Sequence, residues 1–181
     1  FGVEMISVPM TADGPDMDQV EALIKDPAVK GMWNVPKYSN PEGVIYSAAT
    51  IDRLAKMKPA APDFRIFWDN AYCVHTFKGE GDRLLNIFDA LEEAGAADLV
   101  YEFGSTAKVT FPSSGMAYMT ASPADMAEVR AAFASMRVSP EKISQLAHVR
   151  FLKDAAGVRA HMEKHAAIVA PRFALVEEKL T

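Results

Sequence analysis

The chain has 181 residues, half of them hydrophobic and about a quarter charged, with a formal net charge of -5. This composition belongs to a folded globular chain, not a disordered or fibrous one, and the length is enough for one domain with a core or slightly more. The acidic balance and the lack of any Lys/Arg run exclude a nucleic-acid backbone or an anionic membrane surface as the partner of this segment.

Cys73 is the only cysteine, so an internal disulfide and a Cys-based zinc site are both ruled out. A single free thiol points to a reducing compartment, and the cytoplasm is the expected location. No apolar run reaches the roughly 18 residues of a bilayer span, and no signal peptide opens the sequence. The sequence begins at Phe1 without an initiator methionine and runs straight into an apolar stretch over 3–8 that reads as a strand. An internal fragment of a longer reading frame is therefore expected.

In chain order, Asp16 should cap a helix with Val20, Leu23 and Ile24 on one face, stopped by Pro27. An apolar run over 29–35 predicts a second strand, followed by a loop rich in Pro, Ser, Asn and Gly. Ser47 should open a helix with Ile51, Leu54 and Ala55 inward. The run Phe64-Arg65-Ile66-Phe67-Trp68 predicts a third strand. Leu84, Ile87, Phe88 and Leu91 follow the spacing of an amphipathic helix, which Gly95 should end. A fourth strand is expected over 99–103 and a fifth over 116–120. Ser122-Pro123 is an N-cap followed by a first-turn proline, and helices should run from there to the end. The last one, over 155–180, should kink or break at Pro171.

Strands alternating with helices predict an α/β fold, a mostly parallel sheet with helices on both faces. Ligands of such sheets bind beyond the carboxyl ends of the strands. Three successive strands are followed there by polar residues: Ser39-Asn40-Pro41-Glu42-Gly43, Asp69-Asn70-Ala71-Tyr72 and Gly104-Ser105-Thr106-Ala107-Lys108. In a parallel sheet all three sets line one crevice.

The ordered set Asn40-Pro41-x-Gly43, Asp69-x-x-Tyr72 and Ser105-x-x-Lys108 resembles the fold-type I aminotransferases of class I/II. The longer wording, Phe67-Trp68-Asp69-Asn70-Ala71-Tyr72 and Gly104-Ser105-Thr106-Ala107-Lys108-Val109-Thr110-Phe111, is similar to their MocR-type, aspartate-aminotransferase-like branch. The resemblance covers essentially the whole chain. It implies pyridoxal 5'-phosphate (PLP) as cofactor, which needs a lysine amine for its aldehyde and a carboxylate beside its ring nitrogen.

By that resemblance Lys108 is the Schiff-base lysine and later moves the substrate proton. Asp69 pairs with the pyridinium nitrogen, Tyr72 and Asn40 hydrogen-bond the cofactor's phenolic oxygen, and Ser105 contacts the phosphate. The implied activity is amino-group transfer between an amino acid, aspartate or glutamate by preference, and a 2-oxo acid, in a homodimer. Residues 1–153 would be part of the PLP-binding large domain, and 154–181 the interdomain helix and the start of the small domain. Phosphate-loop and substrate-carboxylate residues would then lie outside the chain, and the fragment alone should be inactive. The resemblance leaves open a PLP lyase or decarboxylase, or a non-catalytic aminotransferase-like domain of a MocR-type transcription regulator.

Two positions depart from the family pattern. Met116 stands where many relatives place a phosphate-gripping arginine, and Ala107 where a hydroxyl residue often precedes the lysine. Ser105-x-x-Lys108 also matches a serine β-lactamase element, but the Ser-Asp-Asn and Lys-Thr-Gly elements of that site are absent from the sequence. His161 and His165 match no His-Glu-x-x-His metal motif and read as a solvated helix face; no metal is expected. His75 reads as a loop residue or a neighbour of the crevice.

Overall fold

The computed structural model describes residues 2–77 and 79–180. The expected strand over 3–8 is irregular instead, with Val3, Met5 and Ile6 exposed. An apolar run becomes a strand only where another strand takes up its backbone hydrogen bonds, and among the described residues none lies beside this one. The chain first pairs with itself in a two-step hairpin of β1 (Met10–Thr11) and β2 (Gly14–Pro15).

Helix α1 (Met17–Leu23) starts where Asp16 accepts hydrogen bonds from the amides of Asp18 and Gln19, and it ends before Pro27. β3 (Gly31–Asn34) follows. Ser47 caps α2 (Ala48–Lys56), which leads through a short loop into β4 (Arg65–Asp69). Asn86 caps α3 (Ile87–Ala94), so Leu84 lies before the helix, and Gly95 ends it in the left-handed region at φ 65°. A glycine is suited to that position because a Cβ there would meet the preceding carbonyl.

β5 (Val100–Ser105) and β6 (Ala117–Thr120) come next. β3, β4 and β5 are parallel neighbours, while β6 turns back antiparallel on β5. The expected α/β architecture is thus realised with a mixed sheet.

The pleat divides the sheet into two unlike faces. On one, Ile66, Trp68 and Val100 pack under Ile51 and Leu54 of α2 and Ile87 and Leu91 of α3, all nearly inaccessible to solvent. Each such side chain contributes about 1.5–3 kcal/mol by leaving water, so this layer dominates the stability of the sheet. On the other face Trp33 stacks on Phe67 with ring centroids 5.8 Å apart, and Phe67 on Phe103 at 6.2 Å. Trp33 remains 61% exposed there.

Ser122 caps α4 (Pro123–Met136) and Glu141 caps α5 (Lys142–Leu152). Asp125, in the first turn of α4, is buried and pairs with Arg65 at 3.0 Å, which ties this helix to the strand carrying Asp69. α6 (Ala155–Leu180) is helical on both sides of Pro171, so the proline does not end it. A proline removes one backbone donor and crowds one carbonyl, a cost of about 3 kcal/mol that a helix of 26 residues tolerates.

Candidate functional site

The parallel register of β3, β4 and β5 brings their carboxyl ends to one edge of the sheet. Asp69 is the last residue of β4, half-buried and in register with Phe103 of β5. Among the described residues its carboxylate takes part in no hydrogen bond or ion pair, leaving its oxygens available to an incoming donor.

The turn after β4 carries Tyr72, and the turn after β5 carries Lys108. The two are in contact: Lys108 Nζ donates to the Tyr72 hydroxyl at 2.8 Å and lies 4.0 Å from the centre of its ring. Tyr72 in turn meets Tyr38 edge-on at 6.1 Å and His75 at 5.4 Å. Burial pushes the Tyr38 phenol well above its ordinary range, so it remains a neutral hydroxyl.

Asn70, between Asp69 and Tyr72 in sequence, faces elsewhere. Its amide donates to Glu102 of β5 at 2.8 Å, and burial raises the carboxyl of Glu102. The turn is fastened a second time by Cys73, whose sulfur lies 3.4 Å from the Tyr118 hydroxyl of β6. Gly104 permits that arrangement, because a Cβ at this position would collide with the same hydroxyl.

Asn40 is exposed in the turn where the Gly43 amide bonds to the Ser39 carbonyl and the Val44 amide to the Ser39 hydroxyl. The Ser105 hydroxyl accepts from the Ala107 amide at 3.3 Å. A cavity of about 580 Å³ opens on the helical side of the same edge, lined by Lys37, Trp68, Asn70, Cys73 and Glu102 among others. None of Asn40, Asp69, Tyr72, Ser105 or Lys108 lines it.

Sequence reasoning missed the groups that hold the Lys108 turn. The amides of Val109 and Thr110 both bond to the Thr106 carbonyl, making a single helical turn. His75 Nε2 lies 3.2 Å from the Lys108 carbonyl, and His161 Nε2 lies 2.7 Å from that of Val109. His148 Nε2 reaches the hydroxyls of Thr106 and Thr110 at 2.9 and 2.6 Å. The solvated face expected for His161 and His165 is therefore not what the first of them presents. No local pattern signals these bonds, because each joins residues far apart in the chain.

Burial lowers the pKa of His75 below its ordinary 6.5. A carbonyl can only accept, so Nε2 of His75 carries the proton, and Nδ1 is buried with no hydrogen-bond partner among the described residues. Unfolded, the ring binds a proton below about pH 6.5, whereas folded it resists doing so. Its stabilising contribution is complete above that pH and is lost as pH falls further. Between about pH 7.5 and 5.5, thermal unfolding should shift downward, and less so in His75→Gln, which keeps an N–H donor but cannot titrate. Equal shifts in the two proteins would refute this role.

The family model for aspartate amino-transferase matches residues 1–181. An aspartate aminotransferase of Corynebacterium glutamicum is 48% identical over 181 residues, which make up 99% of this chain and 42% of that protein. A solved aspartate transaminase from the same organism superposes with a TM-score of 0.91 at 46% identity, covering 98% of this chain and 42% of that one. An alpha-aminoadipate aminotransferase from Thermus thermophilus, complexed with N-(5'-phosphopyridoxyl)-L-leucine, shares the fold with a TM-score of 0.78 at 21% identity, over 98% of this chain and 45% of its own. The chain thus spans less than half the length of these relatives.

Proposed function

The chain belongs to the aspartate amino-transferase family, and on that premise we propose that it carries the lysine-bearing core of a PLP enzyme that moves an amino group between an amino acid and a 2-oxo acid. One observation carries this reading. The exposed amine of Lys108 is hydrogen-bonded to Tyr72 at the sheet edge where β4 also presents the carboxylate of Asp69, unpaired among the described residues. An amine, a phenol and a carboxylate at successive strand ends are the donor set that such a cofactor requires.

When bound, PLP supplies an aldehyde for an amine and a ring that draws electrons from the substrate carbon. The chain's own residues do the rest. Lys108 Nζ would hold the cofactor and, once the substrate amine has taken its place there, would be the free amine that carries a proton from the substrate carbon to the cofactor. Tyr72 orients that amine through its hydroxyl and, with Asn40, would hydrogen-bond the phenolic oxygen of the cofactor. The carboxylate of Asp69 would hold the proton on the ring nitrogen, since an adjacent anion favours the charged form. Ser105 would contact the phosphate, sharing that work with groups outside this segment because Met116 offers no charge.

The wording around Asp69 and Lys108 supports placement in the MocR-type, aspartate-aminotransferase-like branch. The match to aspartate aminotransferases favours aspartate or glutamate as amino donor. Residues 1–153 would be part of the large domain and 154–181 the link to a small domain, in a cytoplasmic enzyme that works as a homodimer. Many apolar side chains of the C-terminal helices are exposed, among them Met136, Ile143, Phe151 and Phe173. The remaining length of the protein or its partner subunit would cover them.

Assay of the complete protein with aspartate and 2-oxoglutarate tests the reading, and turnover should require both. Product formed from the amino acid alone would favour a lyase or decarboxylase and overturn it. The 181-residue chain by itself should bind PLP weakly and turn nothing over, because it encloses neither the phosphate nor the substrate carboxylate.

A further inference from the structure

The sequence contains four histidines, and three of them bond to the five residues 106–110 around Lys108. A single helical turn is not stable on its own, because nucleating it fixes several dihedrals for one or two hydrogen bonds. The shape of this turn is therefore imposed by its neighbours. Two of the histidines come from the C-terminal helices, His148 from α5 and His161 from α6.

The chemistry of the partners fixes the protons. His148 Nδ1 lies 2.7 Å from the Ser144 carbonyl one turn back on α5, so Nδ1 carries a proton and Nε2 meets the two threonine hydroxyls. Thr106 also accepts from the Met116 amide at 2.8 Å, which closes the loop between β5 and β6 onto the same ring. His161 donates from Nε2 to the Val109 carbonyl, and its ring is flanked by Phe151 of α5 at 5.1 Å and His165 at 5.0 Å. Val109 and His148 are buried. Lys108, between Thr106 and Val109, is exposed, so the turn is gripped on both sides of the one residue left free to reach outward.

We propose that His148 and His161 are positioning residues for Lys108: through the turn 106–110 they make the placement of its amine depend on where α5 and α6 stand. This rests on the reading of Lys108 as the cofactor lysine. A reacting group must be held within a fraction of an ångström, and a side chain that never touches substrate matters when it sets that placement.

The test uses the complete protein loaded with PLP and compares His161→Leu, which removes the donor and keeps apolar bulk, with His161→Gln, which keeps an N–H. His161→Leu should lower kcat about tenfold or more, leave KM for the amino acid within about twofold, and shift the pH midpoint of the bound cofactor's visible absorbance. His161→Gln should return kcat and midpoint to within about twofold of wild type. If His161→Leu is insoluble, Thr110→Val, which removes a hydroxyl bonded to His148, decides by the same readouts. An unchanged kcat and midpoint in the deciding variant, or His161→Gln as impaired as His161→Leu, would overturn the proposal. Lys108→Ala is run beside them. If it keeps the visible absorbance of wild type, the assignment of Lys108 itself is wrong; if it loses the absorbance while the deciding variant is silent, only the positioning role fails.

Discussion

Lys108→Ala in the complete protein should leave PLP removable by dialysis and reduce turnover by about four orders of magnitude. Two functions are lost with one amine. At the place Lys108 occupies, the neighbouring hydroxyl of Tyr72 can neither attach the cofactor nor, as a weak base at neutral pH, take the substrate proton. Absorbance of the dialysed protein reports the first loss, and single-turnover kinetics report the second. The turn should keep its shape, since its bonds to His75, His148 and His161 run through the Lys108 backbone or through neighbouring residues. A variant that retains the visible absorbance and turns over at near the wild-type rate would eliminate Lys108 from the reaction.

Asp69→Ala should separate those two functions. The amine of Lys108 remains, so the cofactor still attaches, but the ring nitrogen loses the anion that keeps it protonated. A neighbouring carboxylate is worth about one to three pK units to a charged partner, so removal of the substrate proton should slow about a hundredfold or more. Substrate deuterated at the reacting carbon distinguishes this from a binding defect, because the isotope effect on kcat should rise as proton removal becomes the slow step. The free carboxylate in the structure makes the substitution clean: no internal hydrogen bond or ion pair of Asp69 is lost among the described residues. Equal turnover in wild type and variant would remove Asp69 from its assigned role.

The sequence by itself determined what local chemistry determines. Asp16, Ser47 and Ser122 cap helices because each hydroxyl or carboxylate satisfies amides within the next three residues. Gly95 ends α3, and the apolar runs around 31–34, 65–69 and 100–105 become strands, because these outcomes depend on short-range spacing. The order of Asp69, Tyr72 and Lys108 on successive strand ends was legible for the same reason: a parallel sheet puts equivalent ends on one edge.

Tertiary structure alone decided the rest. Apolarity makes residues 3–8 look like a strand, but a strand needs a partner, and none lies beside them among the described residues. The alternation at 117–120 cannot state direction, and β6 proved antiparallel once it folded back over Gly104. His161 has the helical spacing of a solvated face, and only the packing of α6 against a turn 52 residues earlier gives its ring a carbonyl to bind. Periodicity reports which side of an element avoids water; which distant backbone group meets a polar side chain is settled by how the elements pack.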